Sequence, residues 1–373
     1  MLTLPTSPAF VIDQQVLKES IELLNTLRIR SGCRILYSIK ALPFTPVLEL
    51  LKPHVDGFSV SSLFEAQLAN EVRSKEQSIH LTTPGIKPDE ATQLSQLCTH
   101  ISFNSLTQQQ HFSAKLQKQF SVGLRVNPKL SFAPDERFDP CRLYSKLGVD
   151  IDEIEAQHLV NVTGLQVHTV FSQQDYQPLI KTIDKLQQQL GQYFSQLQWI
   201  NLGGGYLFQS IEDHQEFIEL VQVLRQKYAL EVYIEPGKAV IDEAVSLVAT
   251  VIDCFVRDGK SIAVLDTSIN HNPEVFEYQR QPEILPHDEH GSYHAILVGS
   301  TCLAGDVFGE YCFAQELKIG STISFPKVGA YTLVKANRFN GYNFPDIYSL
   351  DLGTLKRLKT YDYEHYRNQW LGE

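Results

Sequence analysis

The chain has 373 residues and a mass of 42.3 kDa, enough for two to three ordinary domains or for one large barrel with a smaller partner domain. Its 32 basic and 43 acidic residues give a net charge of −11, which argues against non-specific nucleic-acid binding. Apolar residues make up 43% of an ordinary globular composition, and no apolar run approaches the roughly 18 residues that a membrane span needs.

Met1 to Phe10 carries no basic region and no signal-peptide pattern, so a cytoplasmic protein is the expectation. From Val16 to Ile29 apolar residues recur at helical spacing. Short apolar runs then begin near Ile35, Asp56, Ser78, His100, Ser121, Leu165, Leu197 and Glu231. Each ends in a polar or glycine-rich loop, and amphipathic stretches fill the gaps. The first five runs start 21 or 22 residues apart, about one strand-and-helix unit each. Ser61 and Ser62 stand where they would cap a helix from Leu63, with Glu65 in its first turn. Eight such units predict a (β/α)8 TIM barrel. A doubly wound open sheet is the alternative, but it calls for a glycine-rich phosphate loop after the first strand. Here that strand ends in Ser38-Ile39-Lys40-Ala41-Leu42-Pro43.

The fifth and sixth runs start 44 residues apart, and the excess is the segment Asn127 to Gly148. A loop of this length after a strand's C-terminal end belongs on the active-site face of a barrel. After about Asp242 helical signals become scarce. Ser246 to Phe255, Ser261 to Asp266, His294 to Gly299, Ser321 to Phe325 and Tyr331 to Val334 read as strands, with Asp258-Gly259 as a hairpin turn. The expected division is a barrel over residues 11–242 and an all-β domain, sandwich or barrel in type, over 243–373 together with 1–10. The tail from Lys356 reads as a docking helix or a partly disordered end. Six scattered cysteines without a CxxC pair read as reduced thiols, with no metal site.

The strand ends hold a concentrated polar set: Lys40, Asp56, Asn104, Arg125, His168, Gly203-Gly204-Gly205 and Glu235-Pro236-Gly237. Each alone has an ordinary structural explanation; their coincidence at one end of one barrel favours a site. Lys40 follows an apolar strand, where burial favours the neutral amine that condenses with an aldehyde. Three consecutive glycines can offer backbone N–H groups to a phosphate. Glu235 can hold a proton on a pyridine nitrogen, and His168 offers a flat ring to stack on. These are the parts of a pyridoxal phosphate site. Further along, Cys302 lies in a Gly- and Ser-rich turn, with Asp306 four residues on.

Together the segments YSIKA, LQVHT, NLGGG, IEPG, GSTCLAGDVFGEY and GAYT resemble the fold-type III pyridoxal-phosphate decarboxylases, an alanine-racemase-like barrel with a C-terminal β domain. Within that family they are most similar to the carboxynorspermidine and carboxyspermidine decarboxylases of polyamine biosynthesis. The resemblance runs from about Pro8 to Ile347. It implies that Lys40 holds the cofactor, His168 stacks on its ring, Gly203, Gly204 and Gly205 take the phosphate, and Glu235, followed by Gly237, partners the ring nitrogen. It implies that Tyr331 reaches the cofactor and that Arg125 and Asp56 tune its surroundings. Cys302 is then the catalytic cysteine, Asp306 recognises a substrate amine, and the chain forms a homodimer with shared active sites.

Departures bear on the substrate. Where that subfamily reads HTLCE, this chain has His168-Thr169-Val170-Phe171-Ser172, and Lys238 replaces the Glu usual after EPG. The segment Ser268 to Glu274 also differs, with Glu274 as a substrate-facing acid. Arg142 in the long loop is available to clamp a second carboxylate. Alternatives are a decarboxylase of a diaminopimelate-, ornithine- or secondary-metabolite-type amino acid, a non-catalytic regulator of a polyamine enzyme, a cofactor carrier, or a sugar-phosphate enzyme on the same barrel.

Overall fold

The computed structural model describes residues 4–113 and 120–372. The chain divides into two compact units, Glu19–Val240 and a second formed by Met1–Lys18 with Ile241–Glu373. Among the described residues no helix is long and apolar enough to cross a membrane.

In the first unit eight parallel strands form a closed barrel: Arg34–Ser38, Gly57–Val60, Ser78–Thr82, His100–Phe103, Ser121–Asn127, Gly164–Gln166, Trp199–Asn201 and Glu231–Ile234. The ring closes where Arg34–Ser38 pairs with Glu231–Ile234. Each strand begins within two residues of its predicted start, because buried apolar runs bounded by polar punctuation leave little freedom in register. Helices alternate with the strands. The helix Leu63–Val72 starts as expected: Ser62 Oγ accepts from the Glu65 N–H at 3.3 Å, and Glu65 returns a carboxylate oxygen to the Ser61 N–H at 2.7 Å. Toward the strands' N-terminal ends the interior is filled by Trp199, Tyr233, His80 and His100, the two imidazoles stacked with centroids 3.8 Å apart.

The second unit is built on one eight-stranded sheet. The hairpin turn at Asp258-Gly259 takes positive φ at both residues (50° and 81°) and sets Arg257 opposite Lys260. Two expectations change here. The strand Ala9–Asp13 pairs antiparallel with Val245–Arg257 and parallel with Asp346–Asp351, so the β unit takes the N-terminal residues as far as Lys18. Tyr331 to Val334 is no strand: Tyr331 has φ 62°, and Leu333–Lys335 forms a short 3-10 turn. A Cβ on Gly329 would lie 1.9 Å from the Ile241 carbonyl oxygen, so the chain turns in close contact there instead of extending. Val307–Phe313, Asp346–Asp351 and Thr354–Lys359 are strands that the pattern did not single out. The tail carries a short helix, Tyr363–Asn368, capped by Asp362.

Candidate active site

Lys40 lies in the single turn Ile39–Ala41 that follows the first barrel strand. That strand end is stitched to the segment after the last strand: the Ser38 N–H donates to the Pro236 carbonyl at 3.0 Å, and Ser38 Oγ donates to the Glu235 carbonyl at 3.2 Å. A Cβ on Gly237 would sit 3.1 Å from the Cβ atoms of both Ser38 and Ala41. Gly237 therefore lets these two strand ends pack.

That cavity is about 270 Å³, and Lys40, Arg125, His168 and Glu235 share its wall. Lys40 stands in the opening, accessible to a molecule inside it and enclosed by protein. Desolvation pushes its ammonium below the ordinary lysine value; Glu235 opposes this shift, and the Arg125 guanidinium reinforces it. His168 is held well below the usual imidazole value by burial, with Lys40 and Arg125 adding to the effect. The Gly204 N–H donates to His168 Nδ1 at 3.1 Å. Since a backbone N–H can only donate, a neutral His168 carries its proton on Nε2. Burial also lowers the Arg125 value, against the pull of Glu235.

The glycine run follows the strand Trp199–Asn201. Gly203 and Gly205 take φ of 72° and 95°, and a Cβ on Gly204 would meet the Glu235 carbonyl oxygen at 2.2 Å. Side chains are excluded here by backbone packed on backbone. The Glu235 carboxylate is buried, and its Oε1 accepts from Asn201 Nδ2 at 2.8 Å. An accessible amine of lowered basicity, a buried carboxylate, a neutral imidazole and a guanidinium around one cavity fit pyridoxal phosphate: aldehyde, ring nitrogen, ring face and anionic oxygens each find a partner type.

The sequence missed several residues at this cavity. Gln166 lies two positions before His168 and so on the same strand face; it is 1% exposed, lines the cavity, and its Oε1 has no hydrogen-bond partner. Arg137 and Phe138 come from the long loop and also line the wall. Phe138 stacks on Phe171 at 4.9 Å, and the Arg137 guanidinium lies 5.3 Å over the Phe138 ring. Asn104 ties down the loop's return by donating to the Lys146 carbonyl at 2.7 Å and accepting the Gly148 N–H at 2.9 Å.

Two expected site residues lie elsewhere. Asp56 precedes its strand, so it sits at the barrel's opposite end, where it pairs with Arg34 at 3.1 Å and accepts the Ile35 N–H at 2.8 Å. Arg142 is exposed, and its guanidinium turns to the Leu143 carbonyl; from the same loop it is Arg137 that reaches the cavity.

In the second unit Cys302 is exposed, and its N–H donates to Asn340 Oδ1 at 2.7 Å. Asp306 is 2% exposed, with its carboxylate committed to its own surroundings: Oδ1 accepts the Ile269 N–H at 2.9 Å, and Oδ2 accepts the Thr301 N–H at 3.1 Å and the Thr301 hydroxyl at 2.5 Å. Glu274 is likewise buried and pairs with Arg280 at 2.6 Å. Tyr331 is half-buried in its turn, with the Lys335 ammonium 5.6 Å from its ring.

Comparison with known proteins agrees with this chemistry. Residues 15–242 match the family model described as pyridoxal-dependent decarboxylase, pyridoxal binding domain. The chain is 34% identical to a carboxynorspermidine/carboxyspermidine decarboxylase of Campylobacter jejuni, covering 96% of this chain and 97% of the relative. It is 32% identical to a carboxyaminopropylagmatine decarboxylase of Synechocystis, over 97% and 95% of the two chains. The crystal structure of carboxynorspermidine decarboxylase from Campylobacter jejuni, complexed with norspermidine, superposes with a TM-score of 0.89 at 31% identity, covering 98% of this chain and all of that one. With a family model across the barrel and relatives matched end to end, the chain belongs to the pyridoxal-dependent decarboxylases and is an enzyme that uses pyridoxal phosphate.

Proposed function

We propose that this enzyme removes the α-carboxyl group of a carboxylated triamine, carboxynorspermidine or carboxyspermidine, as a cytoplasmic homodimer with shared active sites. The observation that carries the reading is the shared cavity of Lys40, Arg125, His168 and Glu235, backed by a relative of that activity matched over nearly its whole length. Bound pyridoxal phosphate supplies an electron sink for the pair left on Cα when CO2 departs. Lys40, its amine of lowered basicity, would hold the cofactor through its aldehyde. Glu235 faces the ring nitrogen and keeps its proton in place, which an arginine at that position would oppose. His168 would cover one ring face, and the Gly203–Gly205 turn would face the phosphate, with the Gly203 and Gly204 N–H groups already held by Asn201 Oδ1 and His168 Nδ1. Cys302, presented from the second subunit, would supply the proton to Cα, and Tyr331 would reach the cofactor from across the barrel. Asp306 acts through the loop: it holds the turn on which Cys302 is presented.

A second reading is a carboxylated agmatine derivative. The Phe138–Phe171 stack offers an aromatic face that already accepts one guanidinium, that of Arg137. Release of CO2 from carboxynorspermidine, carboxyspermidine, carboxyaminopropylagmatine, diaminopimelate and ornithine separates these readings. The proposal expects the highest kcat/KM on a carboxylated triamine. A preference for diaminopimelate or ornithine would overturn it.

A further inference from the structure

We propose that Asn201 is a positioning residue that couples the carboxylate facing the cofactor ring to the turn facing its phosphate, an inference that rests on the function proposed above. Asn201 closes the strand Trp199–Asn201 and is 1% exposed, between Gln166 and Tyr233 of the neighbouring strands. Its side chain makes two hydrogen bonds in opposite directions. Oδ1 accepts the Gly203 N–H at 2.9 Å, and Nδ2 donates to Glu235 Oε1 at 2.8 Å.

The orientation of this amide is fixed by chemistry. The Gly203 N–H can only donate, so the atom facing it is the carbonyl oxygen. The amide nitrogen must then face Glu235, and it can only donate, so it meets Oε1 as an acceptor. A further bond completes the frame: the Glu235 N–H donates to the Gly203 carbonyl at 2.7 Å. Glu235 and Gly203 are thus held together twice, once by backbone and once through the Asn201 side chain. Gly203 has φ 72°, and a Cβ there would lie 2.4 Å from the Val167 carbonyl oxygen, so its turn has one place to sit. Through Asn201 that place also sets the rotation of the Glu235 carboxylate. The ring end and the phosphate end of the cofactor site are therefore registered by one side chain that touches neither.

The near-isosteric Asn201→Asp tests this. It replaces the N–H donor by a second carboxylate against Glu235, and two facing carboxylates share a proton. The expected result is loss of cofactor affinity by about ten-fold or more, measured by titrating the apoenzyme with pyridoxal phosphate and following cofactor absorbance. The pH profile of kcat gains a titrating group near neutrality that the wild type lacks, while the melting temperature of the apoenzyme stays within a few degrees. Asn201→Ser, which removes the bridge without adding charge, is expected to lose cofactor affinity without gaining that group, and it carries the test if the Asp variant does not fold. Wild-type affinity in Asn201→Ser, or a wild-type pH profile in a folded Asn201→Asp, overturns the inference. If the wild-type protein itself binds no pyridoxal phosphate, the function proposed above fails instead, whatever the variants do.

Discussion

Gly164 and Trp199 share one space inside the barrel. A Cβ built on Gly164 would lie 2.0 Å from Cδ2 of the indole, and one on Gly123 would lie 2.5 Å from its Cη2. Trp199 Nε1 donates to Ser121 Oγ at 2.8 Å, which fixes the ring over both glycines. These two glycines are demanded by a neighbour's volume on adjacent strands. Gly164→Ala should therefore destabilise the barrel by about 1–3 kcal/mol, as overpacking does. Tryptophan fluorescence during urea unfolding reads this directly, and an unchanged midpoint would contradict it.

The stacked pair His80–His100 predicts a pH dependence of stability. Burial lowers the His100 value from 6.5 to about 4 and holds His80 well below 6.5, where His100 lowers it further. Both rings are neutral in the folded protein at neutral pH, whereas the unfolded chain binds protons below about 6.5. Stability is thus full above pH 6.5 and falls as pH drops toward 4, by about 1.4 kcal/mol per pH unit for each histidine. Unfolding free energies between pH 7 and 4.5 check this. His80→Asn should flatten the slope by about one histidine's share.

Asp306 and Cys302 separate presentation from chemistry. Asp306→Ala strips the partners from the Ile269 and Thr301 N–H groups and should cost about 1–3 kcal/mol in the β unit. It should also lower kcat with little change in cofactor affinity. Cys302→Ala should leave stability unchanged and slow kcat by about 100-fold or more, the usual loss for a proton donor. A rise in KM for Asp306→Ala at constant kcat would instead assign its carboxylate to the substrate amine.

Asp56 is expected to matter to the fold and not to turnover. It accepts the Ile35 N–H and faces Arg34 and Arg28 at the barrel end opposite Lys40. Asp56→Asn should lower stability by about 1–2 kcal/mol while kcat/KM stays at the wild-type value. A cofactor-affinity defect would return Asp56 to the site.

The barrel was legible because its signal is local: runs of buried residues, the first five 21 or 22 residues apart, each closed by polar punctuation. Lys40, His168 and Glu235 were legible because they directly follow strands, and parallel strands deliver their C-terminal ends to one face. Asp56 was set among the strand ends although it immediately precedes the strand Gly57–Val60, and an acid placed before a strand lies at the other end of the barrel. Gln166 carried a usable signal, the two-residue period that ends at His168. Arg137, Phe138 and Asn201 carried none. Which loop residue turns inward depends on anchors such as Asn104 and Lys146, far apart in sequence, and the role of Asn201 depends on a partner from another strand. In the β unit the first ten residues were placed with the later strands, but the strand Ala9–Asp13 itself was not read, because its partners Val245–Arg257 and Asp346–Asp351 lie more than 200 positions away in sequence.

Lys40 is expected to carry cofactor-dependent decarboxylation of a carboxylated triamine. The most direct test incubates wild-type protein and Lys40→Ala, each supplied with pyridoxal phosphate, with carboxynorspermidine and measures CO2 and norspermidine. Equal amounts of the two products from the wild type, and neither from Lys40→Ala, is the predicted result. No CO2 from the cofactor-loaded wild type, or the same rate from both proteins, would contradict this role of Lys40.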